Sequence, residues 1–227
     1  MDSSAPEWQR RLAEGAAGLQ VELDARQTRL FARYAAELIH WNRRMNLTAI
    51  TDPQEILSRH FLDSLVPLPI LPPAARLLDM GSGGGFPGVP LKIANAQLKV
   101  LLVEASRKKV SFQKHLIRSL GLAGIDSQQR RLEPAPQNPI IPEGFDVVVS
   151  RAVTDLPVLA AWACPQMAPQ SLLVAWRGRP DPRQEEAAVG VLARAGRTCR
   201  REQLLYRLPG VLGERHLALL HTRLEGV

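Results

Sequence analysis

The chain has 227 residues, 45% of them hydrophobic and 22% charged, with a net charge of +7. Such a composition supplies a buried core and excludes a chain that is disordered throughout. No apolar run reaches the roughly 18 residues of a membrane helix, and Met1–Gly15 lacks the apolar stretch of a signal peptide. The isolated Cys164 and Cys199 indicate neither a disulfide framework nor a zinc site, so we expect a cytoplasmic protein without membrane association.

The first part of the chain predicts helices. Asp24 is the candidate N-cap of a helix whose apolar side chains recur at three- and four-residue spacing, namely Leu30, Phe31, Tyr34, Leu38 and Trp41. In a second helix Asp52 is the candidate cap and Pro53 the first helical residue, and this helix ends before Pro67. Prolines at positions 67, 69, 72 and 73 mark the boundary between a helical extension, residues 1–75, and a larger domain, residues 76–227.

From residue 76 onward, strands alternate with helices. The predicted elements are a strand at Arg76–Met80, a helix at Pro87–Ala96, a strand at Leu98–Glu104, a basic helix capped near Ser106, strands at Phe145–Ser150 and Ser171–Trp176, and a final edge strand at His216–Leu220 that pairs with Gln203–Arg207. Continuous apolar strands separated by helices predict an α/β fold with a mostly parallel, doubly wound sheet. In such a sheet the ligand lies beyond the carboxyl ends of the strands.

The glycine-rich stretch Leu77–Pro90, LLDMGSGGGFPGVP, falls at one of these strand ends. Its G-x-G-x-x-G spacing, with Glu104 about 20 residues on, fits an NAD-linked oxidoreductase. However, Asp79 would repel a pyrophosphate, and Pro87 has no N–H to offer one. These two residues favour S-adenosylmethionine, which has no phosphate and whose amino group can meet the Asp79 carboxylate. Glu104 can accept from the ribose diol of either cofactor and so does not discriminate between them. A glycine-rich turn without a ligand is the third interpretation.

Basic residues are concentrated just after the second predicted strand. Residues 105–131 contain seven Lys and Arg side chains and one acidic residue, Asp126. Clustered positive charge favours a polyanion such as nucleic acid, because phosphates release counterions when Lys and Arg bind them. The alternative is a solvated basic helix face without a partner.

Several separate stretches together resemble one family. These are WNRRMNLTAI (41–50), RHFLDSL (59–65), LLDMGSGGGFPGVPLKI (77–93), LLVEASRKKVSF (101–112), FDVVVSRAV (145–153) and GERH (213–216). The chain is similar over these stretches to the bacterial RsmG (glucose-inhibited division protein B) family of small-subunit (16S) ribosomal RNA guanine-N7 methyltransferases. The resemblance implies a Rossmann-like class I methyltransferase with an N-terminal helical extension. It also implies S-adenosylmethionine as methyl donor and a guanine N7 in ribosomal RNA or the 30S particle as acceptor. A non-catalytic RNA-binding assembly factor with the same fold is the alternative.

The resemblance also implies a cofactor pocket. Besides Asp79, Gly83 and Glu104, the pocket is expected to include Gly81, Phe86, Leu132, Glu133 and Arg151. Phe86 and Leu132 are expected to flank the adenine, and Glu133 to accept a hydrogen bond from its amino group. Arg151 is expected to stack on a base or to clamp a carboxylate or phosphate. An ion pair with Asp155 is the plain alternative for this arginine.

Arg151, Asn46 and His60 are the candidate catalytic residues. His60 and Asp63 share one helix face, which is a pattern compatible with acid/base chemistry. Methylation of guanine N7 requires no deprotonation, however, so proximity should supply most of the rate. We therefore expect Asn46, His60, Asp63 and Ser64 to shape the pocket rim or to pin the extension against the sheet.

Side chains on both parts of the chain are expected to hold RNA phosphates. They are Arg43, Arg44, Arg59, Arg107, Lys108 and Lys109. The chain departs from the family at Arg177-Gly178, where relatives commonly carry Lys-Gly. We expect a monomer that needs no metal.

Overall fold

The computed structural model describes residues 3, 5–131, 139–151 and 154–226. The helices are α1 (Pro6–Ala17), α2 (Ala25–Met45), α3 (Pro53–Glu55), α4 (Asp63–Leu65), α5 (Gly88–Ala94), α6 (Arg107–Leu120), α7 (Leu156–Ala163) and α8 (Pro182–Arg194). The strands are β1 (Arg76–Met80), β2 (Lys99–Glu104), β3 (Ile125–Gln129), β4 (Phe145–Arg151), β5 (Met167–Arg177), β6 (Arg197–Tyr206) and β7 (Arg215–Leu224). A π-helix, Ile56–Leu62, joins α3 to α4. Within the described part of the chain, no helix is both long and apolar enough to cross a membrane.

The strands form one sheet in the order β3-β2-β1-β4-β5-β7-β6. The pairs formed among strands β1 to β5 are all parallel, and β7 is antiparallel to both β5 and β6. The predicted mostly parallel, doubly wound sheet is confirmed. The predicted pairing at the C-terminus is also confirmed, with Gln203 opposite Ala218 and Leu205 opposite His216.

The prediction that His216–Leu220 forms an edge strand is wrong. This segment lies in β7, which is enclosed between β5 and β6, and β6 is the edge. The physical reason is burial on both faces: Leu217 to Leu220 are all buried, whereas β6 exposes Arg200, Arg201 and Glu202. A continuous apolar run belongs inside a sheet, and a charged run belongs at its edge.

Helices cover both faces of the sheet. On one face α1, α2, the π-helix, α5 and α6 share a core with alternate strand residues such as Leu77, Val147 and Val174. On the other face α7 and α8 pack on the intervening residues, such as Leu78 and Val148. The helical extension is therefore a layer on the sheet with a continuous core, and the division at residue 75 stays a prediction.

Side-chain caps fix where the N-terminal helices begin. Asp24 and Gln27 form a capping box with hydrogen bonds of 2.7 and 2.8 Å, and Asp52 accepts from the backbone N–H groups of Gln54 and Glu55. Both predicted caps are confirmed. Ser106 occupies the N-cap position of α6, but its hydroxyl makes no capping bond. The N–H of Ser106 instead donates to Glu104 Oε1 at 2.9 Å.

Four elements were not among those predicted individually. Helix α7, LPVLAAWA, is apolar around its circumference and so lacks the amphipathic period that reveals a helix. Strand β3, IDSQQ, is too polar to be recognised as a strand. Helices α1 and α8 are the other two. The second predicted helix is interrupted by π-helical geometry, a feature for which its sequence gives no signal.

Candidate active site

The glycine loop connects β1 to α5 at the carboxyl edge of the sheet. Gly81, Gly83 and Gly85 have φ angles of 75°, 54° and 99°, in the region that favours glycine. A Cβ atom on Gly85 would lie 2.8 Å from the Tyr34 hydroxyl oxygen. That hydroxyl donates to the carbonyl oxygen of Gly84 at 2.6 Å, so α2 of the extension supports the loop directly.

Asp79 lies beneath this loop and is fully buried. Its Oδ2 accepts from the backbone N–H of Gly88 at 2.7 Å, at the start of α5. Its Oδ1 has no hydrogen-bond partner among the residues that the structure describes. Burial raises the pKa of Asp79 to about 7. A carboxylate therefore takes the N–H at this helix start and keeps one oxygen that can accept from a cationic donor.

Glu104 ties the loop to the end of β2. Its Oε2 accepts from the N–H of Gly83 at 3.0 Å, and its Oε1 from the N–H of Ser106 at 2.9 Å. Each carboxylate oxygen has a second lone pair, so Glu104 retains capacity to accept from hydroxyl groups of a ligand.

Gln113 of α6 is a site residue that sequence reasoning missed. Its side chain is fully buried, and its Nε2 donates to Gly83 O at 2.7 Å and to Ser82 Oγ at 2.9 Å. Its Oε1 accepts from Ser127 Oγ at 2.5 Å. A lone glutamine inside a basic helix gives no sequence signal of this role, because its partners come from other elements.

Arg151 ends β4 and is held by residues of the extension. Its Nη2 lies 2.8 Å from His60 Nδ1, and its Nη1 lies 3.3 Å from Asp63 Oδ2 without hydrogen-bond geometry. Its guanidinium carbon lies 5.7 Å from the centre of the Phe86 ring. The alternative ion pair of Arg151 with Asp155 is wrong, because Asp155 instead lies 3.9 Å from Arg177.

Asp63 connects this cluster to the C-terminal hairpin. Its fully buried carboxylate accepts from the Tyr206 hydroxyl at 2.7 Å and from Arg215 Nε at 2.8 Å. Its carbonyl oxygen accepts from Trp176 Nε1 at 3.0 Å. Ser64 contributes a local bond from its hydroxyl to His60 O at 2.6 Å. These contacts join the extension to β5, β6 and β7, the geometry expected of pinning residues, and the role itself stays a prediction.

His60 is buried with both ring nitrogens engaged. Nδ1 faces Arg151, which can only donate, so Nδ1 accepts and the proton is on Nε2, 2.8 Å from Thr48 Oγ1. Burial, followed by the charge of Arg151, lowers the pKa of His60 to about 3, so the ring is neutral at pH 7. His60 is thus held as a hydrogen-bonding group between Arg151 and Thr48.

Phe86 lies in an aromatic stack. Its ring centre lies 4.4 Å from that of His60 and 5.2 Å from that of Tyr34, with interplanar angles of 18° and 12°. The expectation that Phe86 flanks an adenine stays a prediction, as does the catalytic assignment of Asn46. Asn46 is exposed at the left-handed end of α2, two residues before Thr48. Leu132 and Glu133 lie outside the described residues.

The structure places the basic end of α2 beside the basic start of α6. Glu37 of α2 contacts His115 of α6 at 2.9 Å, and one turn later Trp41 packs against Phe112 at 5.9 Å between ring centres. Along these contacts the residue numbers rise in α2 and fall in α6, so the two helices are antiparallel. The end of α2 therefore lies beside the start of α6, next to Glu104 and the glycine loop. We call the exposed Arg43, Arg44, Arg107 and Lys108 with the half-buried Lys109 the basic patch; Arg59 is exposed and paired with Glu55.

The fold is the Rossmann-like α/β fold that solved methyltransferases share. A SAM-dependent methyltransferase from Aquifex aeolicus shares the fold, with a TM-score of 0.53, 16% identity, and coverage of 78% of this chain and 96% of that one. TYW2 from M. jannaschii, solved in complex with AdoMet, gives a TM-score of 0.55 and 12% identity over 70% of this chain and 73% of that one.

The family follows from sequence comparison. The family described as rRNA small subunit methyltransferase G matches residues 27–194. Proteins named Ribosomal RNA small subunit methyltransferase G from Geobacter sp. (strain M21) and Myxococcus xanthus (strain DK1622) are each 41% identical over 209 residues. These alignments cover 92% of this chain and 95% and 94% of the relatives. The chain belongs to this family and is a methyltransferase, as predicted, so the alternative of an NAD-linked oxidoreductase is wrong.

Proposed function

We propose that the protein transfers a methyl group from S-adenosylmethionine to N7 of a guanine in small-subunit (16S) ribosomal RNA. The observation that carries the choice of methyl donor is Asp79, and the RNA acceptor rests on membership of the family. Its carboxylate takes the Gly88 N–H where a dinucleotide would need a free donor, and its second oxygen is unpartnered among the described side chains. A buried carboxylate of this kind suits an ammonium group and opposes a pyrophosphate.

The residues present fit the methyl donor. Asp79 would accept from its amino group and Glu104 from its ribose hydroxyls, while Gly81 and Gly83 allow the close approach of a ligand to the backbone. Leu132 and Glu133 are assigned to the adenine by resemblance to the family. When bound, S-adenosylmethionine supplies an electrophilic methyl group.

The remaining tasks are to orient the base and to balance its charge. They fall to Arg151 with His60 and Asp63, which we call the Arg151 cluster. Guanine N7 has a free lone pair and becomes cationic on methylation, so the site needs no base. The neutral His60, with both nitrogens engaged, agrees with this requirement. The buried Asp63 lies 3.3 Å from Arg151 and 2.8 Å from Arg215, so it offsets part of their combined charge and lowers, without cancelling, the repulsion of a cationic product. Arg151 is then free to position the base by stacking or hydrogen bonding.

The basic patch supplies the RNA-binding surface in this proposal. Three basic residues stand in the first turn of α6, where the helix dipole disfavours cations. Local stability alone gives no reason for this placement, whereas phosphate binding does. We further propose a cytoplasmic monomer that acts on the RNA or the 30S particle without a metal; light scattering of the purified protein tests the oligomeric state.

Two measurements test the function. Calorimetric titrations with S-adenosylmethionine and with NAD should show binding of the first alone, and binding of NAD alone would overturn the cofactor assignment. Labelled methyl donor is then incubated with 16S RNA and with 30S particles from a strain that lacks the modification. Donor binding without transfer to either acceptor would favour the non-catalytic assembly factor.

A further inference from the structure

A groove runs between α2 and α6 on the surface of the helical layer. It holds a cavity of about 540 Å³, a size typical of small-molecule sites, whose lining includes Trp41 and His115. One end of the groove opens at the basic patch, where the end of α2 lies beside the start of α6, next to Glu104 and the glycine loop. The groove is therefore continuous with the surface around the methyl-transfer site, and neither ring has a role in that site.

Two aromatic side chains form the floor of the groove. The ring centres of Trp41 and His115 lie 4.9 Å apart, with an interplanar angle of 43°. Both residues are half-buried and line the cavity, so part of each ring is accessible from it. The fully buried Phe112 packs against Trp41 and supports it from α6. Accessible aromatic rings on a rigid support are platforms on which unpaired nucleobases stack.

Hydrogen bonds across the groove hold this floor in place. Glu37 on α2 accepts from Ser119 Oγ at 3.2 Å and lies 2.9 Å from His115 Nε2. Because an ionised carboxylate can only accept, Nε2 carries the ring proton of His115. The guanidinium group of Arg33 donates to the carbonyl oxygen of Ser119. The Glu37 carboxylate is thus engaged by donors on α6, which reduces its repulsion of a polyanion in the groove.

Basic side chains stand at both ends of the groove. Arg44 and Lys108, which belong to the basic patch, lie one helical turn from the aromatic floor at one end, and Arg33 and Arg118 lie within about two turns of it at the other. All four residues are exposed. Along the axis of α6, Lys108 and Arg118 are about 15 Å apart. Positive charge at both ends of an aromatic floor matches a short stretch of single-stranded nucleic acid.

We propose that the groove between α2 and α6 binds unpaired ribosomal RNA next to the target nucleotide. One base stacks on Trp41 and His115, and the neighbouring phosphates lie on the four basic side chains. The aromatic floor favours a nucleic acid over an acidic peptide, because every base presents a flat π face. Phosphate contacts along the groove fix the register of the RNA, so that the target guanine reaches the glycine loop. This inference rests on the proposed function, which makes RNA the substrate.

The affinity for an RNA with and without its bases tests the groove. Filter binding at low salt compares a short single-stranded RNA with the same ribose-phosphate chain lacking all bases. The wild type should bind the RNA more tightly. Trp41→Leu should weaken RNA binding at least about fivefold, the effect of losing one stacked base, and should leave binding of the abasic chain unchanged.

Two further variants serve as controls. Trp41→Phe keeps an aromatic face and should retain most of the preference for the RNA that contains bases. Trp162→Leu replaces another half-buried tryptophan, which packs with α7 on the opposite face of the sheet. It should bind both chains as the wild type does.

Tryptophan fluorescence gives a second measurement, which decides if Trp41→Leu does not fold. The Trp162→Leu protein retains Trp8, Trp41 and Trp176, and of these Trp8 and Trp176 are buried. The RNA should quench the fluorescence of this protein by stacking on Trp41, and the abasic chain should not.

Three results would overturn the assignment. They are equal affinity of the wild type for the two chains or binding of neither, an RNA affinity that Trp41→Leu leaves unchanged or lowers equally for both chains, and an absence of base-dependent quenching. An equal loss for both chains would mean that Trp41 only packs α2 against α6. The proposed function is decided separately, because methyl transfer to 16S RNA or 30S particles by the wild type can fail while base-dependent binding is present.

Discussion

The two halves of the carboxyl edge are assembled in opposite ways. The glycine loop is held by bonds between residues close in the chain: Asp79 and Gly88 are nine residues apart, and Gly83 and Glu104 are 21 apart. In the Arg151 cluster, by contrast, Arg151 meets His60 across 91 residues, and Asp63 meets Arg215 across 152. The carboxylate bonds of the first half form within one βαβ unit, to which Tyr34 of the extension adds one support for the loop. The second half exists only when the extension and the C-terminal hairpin both pack on the sheet.

The largest expected effect is on stability, at Asp63. Asp63→Ala leaves Arg151 and Arg215 without their buried counter-charge, and we expect a loss of about 3–5 kcal/mol in the free energy of unfolding, measured in urea. Asp155→Ala is the control, because its carboxylate is 74% exposed and lies 3.9 Å from Arg177; it should cost less than about 1 kcal/mol. Similar losses in the two variants would contradict the role of Asp63 as the buried counter-charge of Arg151 and Arg215.

The substitution Gly85→Ala should affect the glycine loop and leave the Arg151 cluster unchanged. In Gly85→Ala the new Cβ meets the Tyr34 hydroxyl at 2.8 Å, whereas in Gly210→Ala it meets nothing within 4 Å. Both positions have positive φ, so both variants carry similar backbone strain of about 1 kcal/mol. Calorimetry should show at least about tenfold weaker binding of S-adenosylmethionine in Gly85→Ala only, since a misplaced loop misplaces its donors and acceptors. Equal affinities in both variants would show that the loop tolerates displacement.

The two halves should also respond oppositely to pH. The pKa of His60 falls from 6.5 to about 3 on folding, so its contribution to stability is present above pH 6.5 and is lost as the pH falls through about 3. The pKa of Asp79 rises from 3.8 to about 7, so its contribution is present below pH 3.8 and is lost as the pH rises through about 7.

Unfolding free energies at pH 4 to 7 test this opposition. The advantage of the wild type over His60→Gln should grow with pH, and its advantage over Asp79→Asn should shrink. Parallel curves for the three proteins would mean that neither group is perturbed by burial as described.

The smallest expected effect is on the salt dependence of RNA binding. Lys108→Ala should reduce the slope of log affinity for RNA against log salt by about one, because one phosphate contact is lost. Arg10→Ala, on α1 with Glu7 and Glu14 as partners, should leave the slope unchanged. Filter binding over a range of salt concentrations measures both, and identical slopes would remove Lys108 from the RNA-binding surface.

The contrast between contacts close in the chain and contacts between distant elements also explains which features could be predicted from the sequence. Asp79, Gly81 and Glu104 are recognisable because the loop obeys local rules of spacing, and the bounds of β1 follow from its apolar run. Gln113 and the partners of Asp63 are not recognisable, since their contacts depend on how distant elements pack. The interior position of β7 was predictable, because its continuous apolar run contrasts with the charged run of β6.

The measurement that most directly tests the account is the position of the methyl group. Purified protein, S-adenosylmethionine and unmodified 30S particles or 16S RNA are incubated, and the RNA is digested to nucleosides for mass spectrometry and mapped by fragment analysis. We expect N7-methylguanine at one position in the RNA. A methyl group on another atom or another base, or none in either substrate, would contradict it.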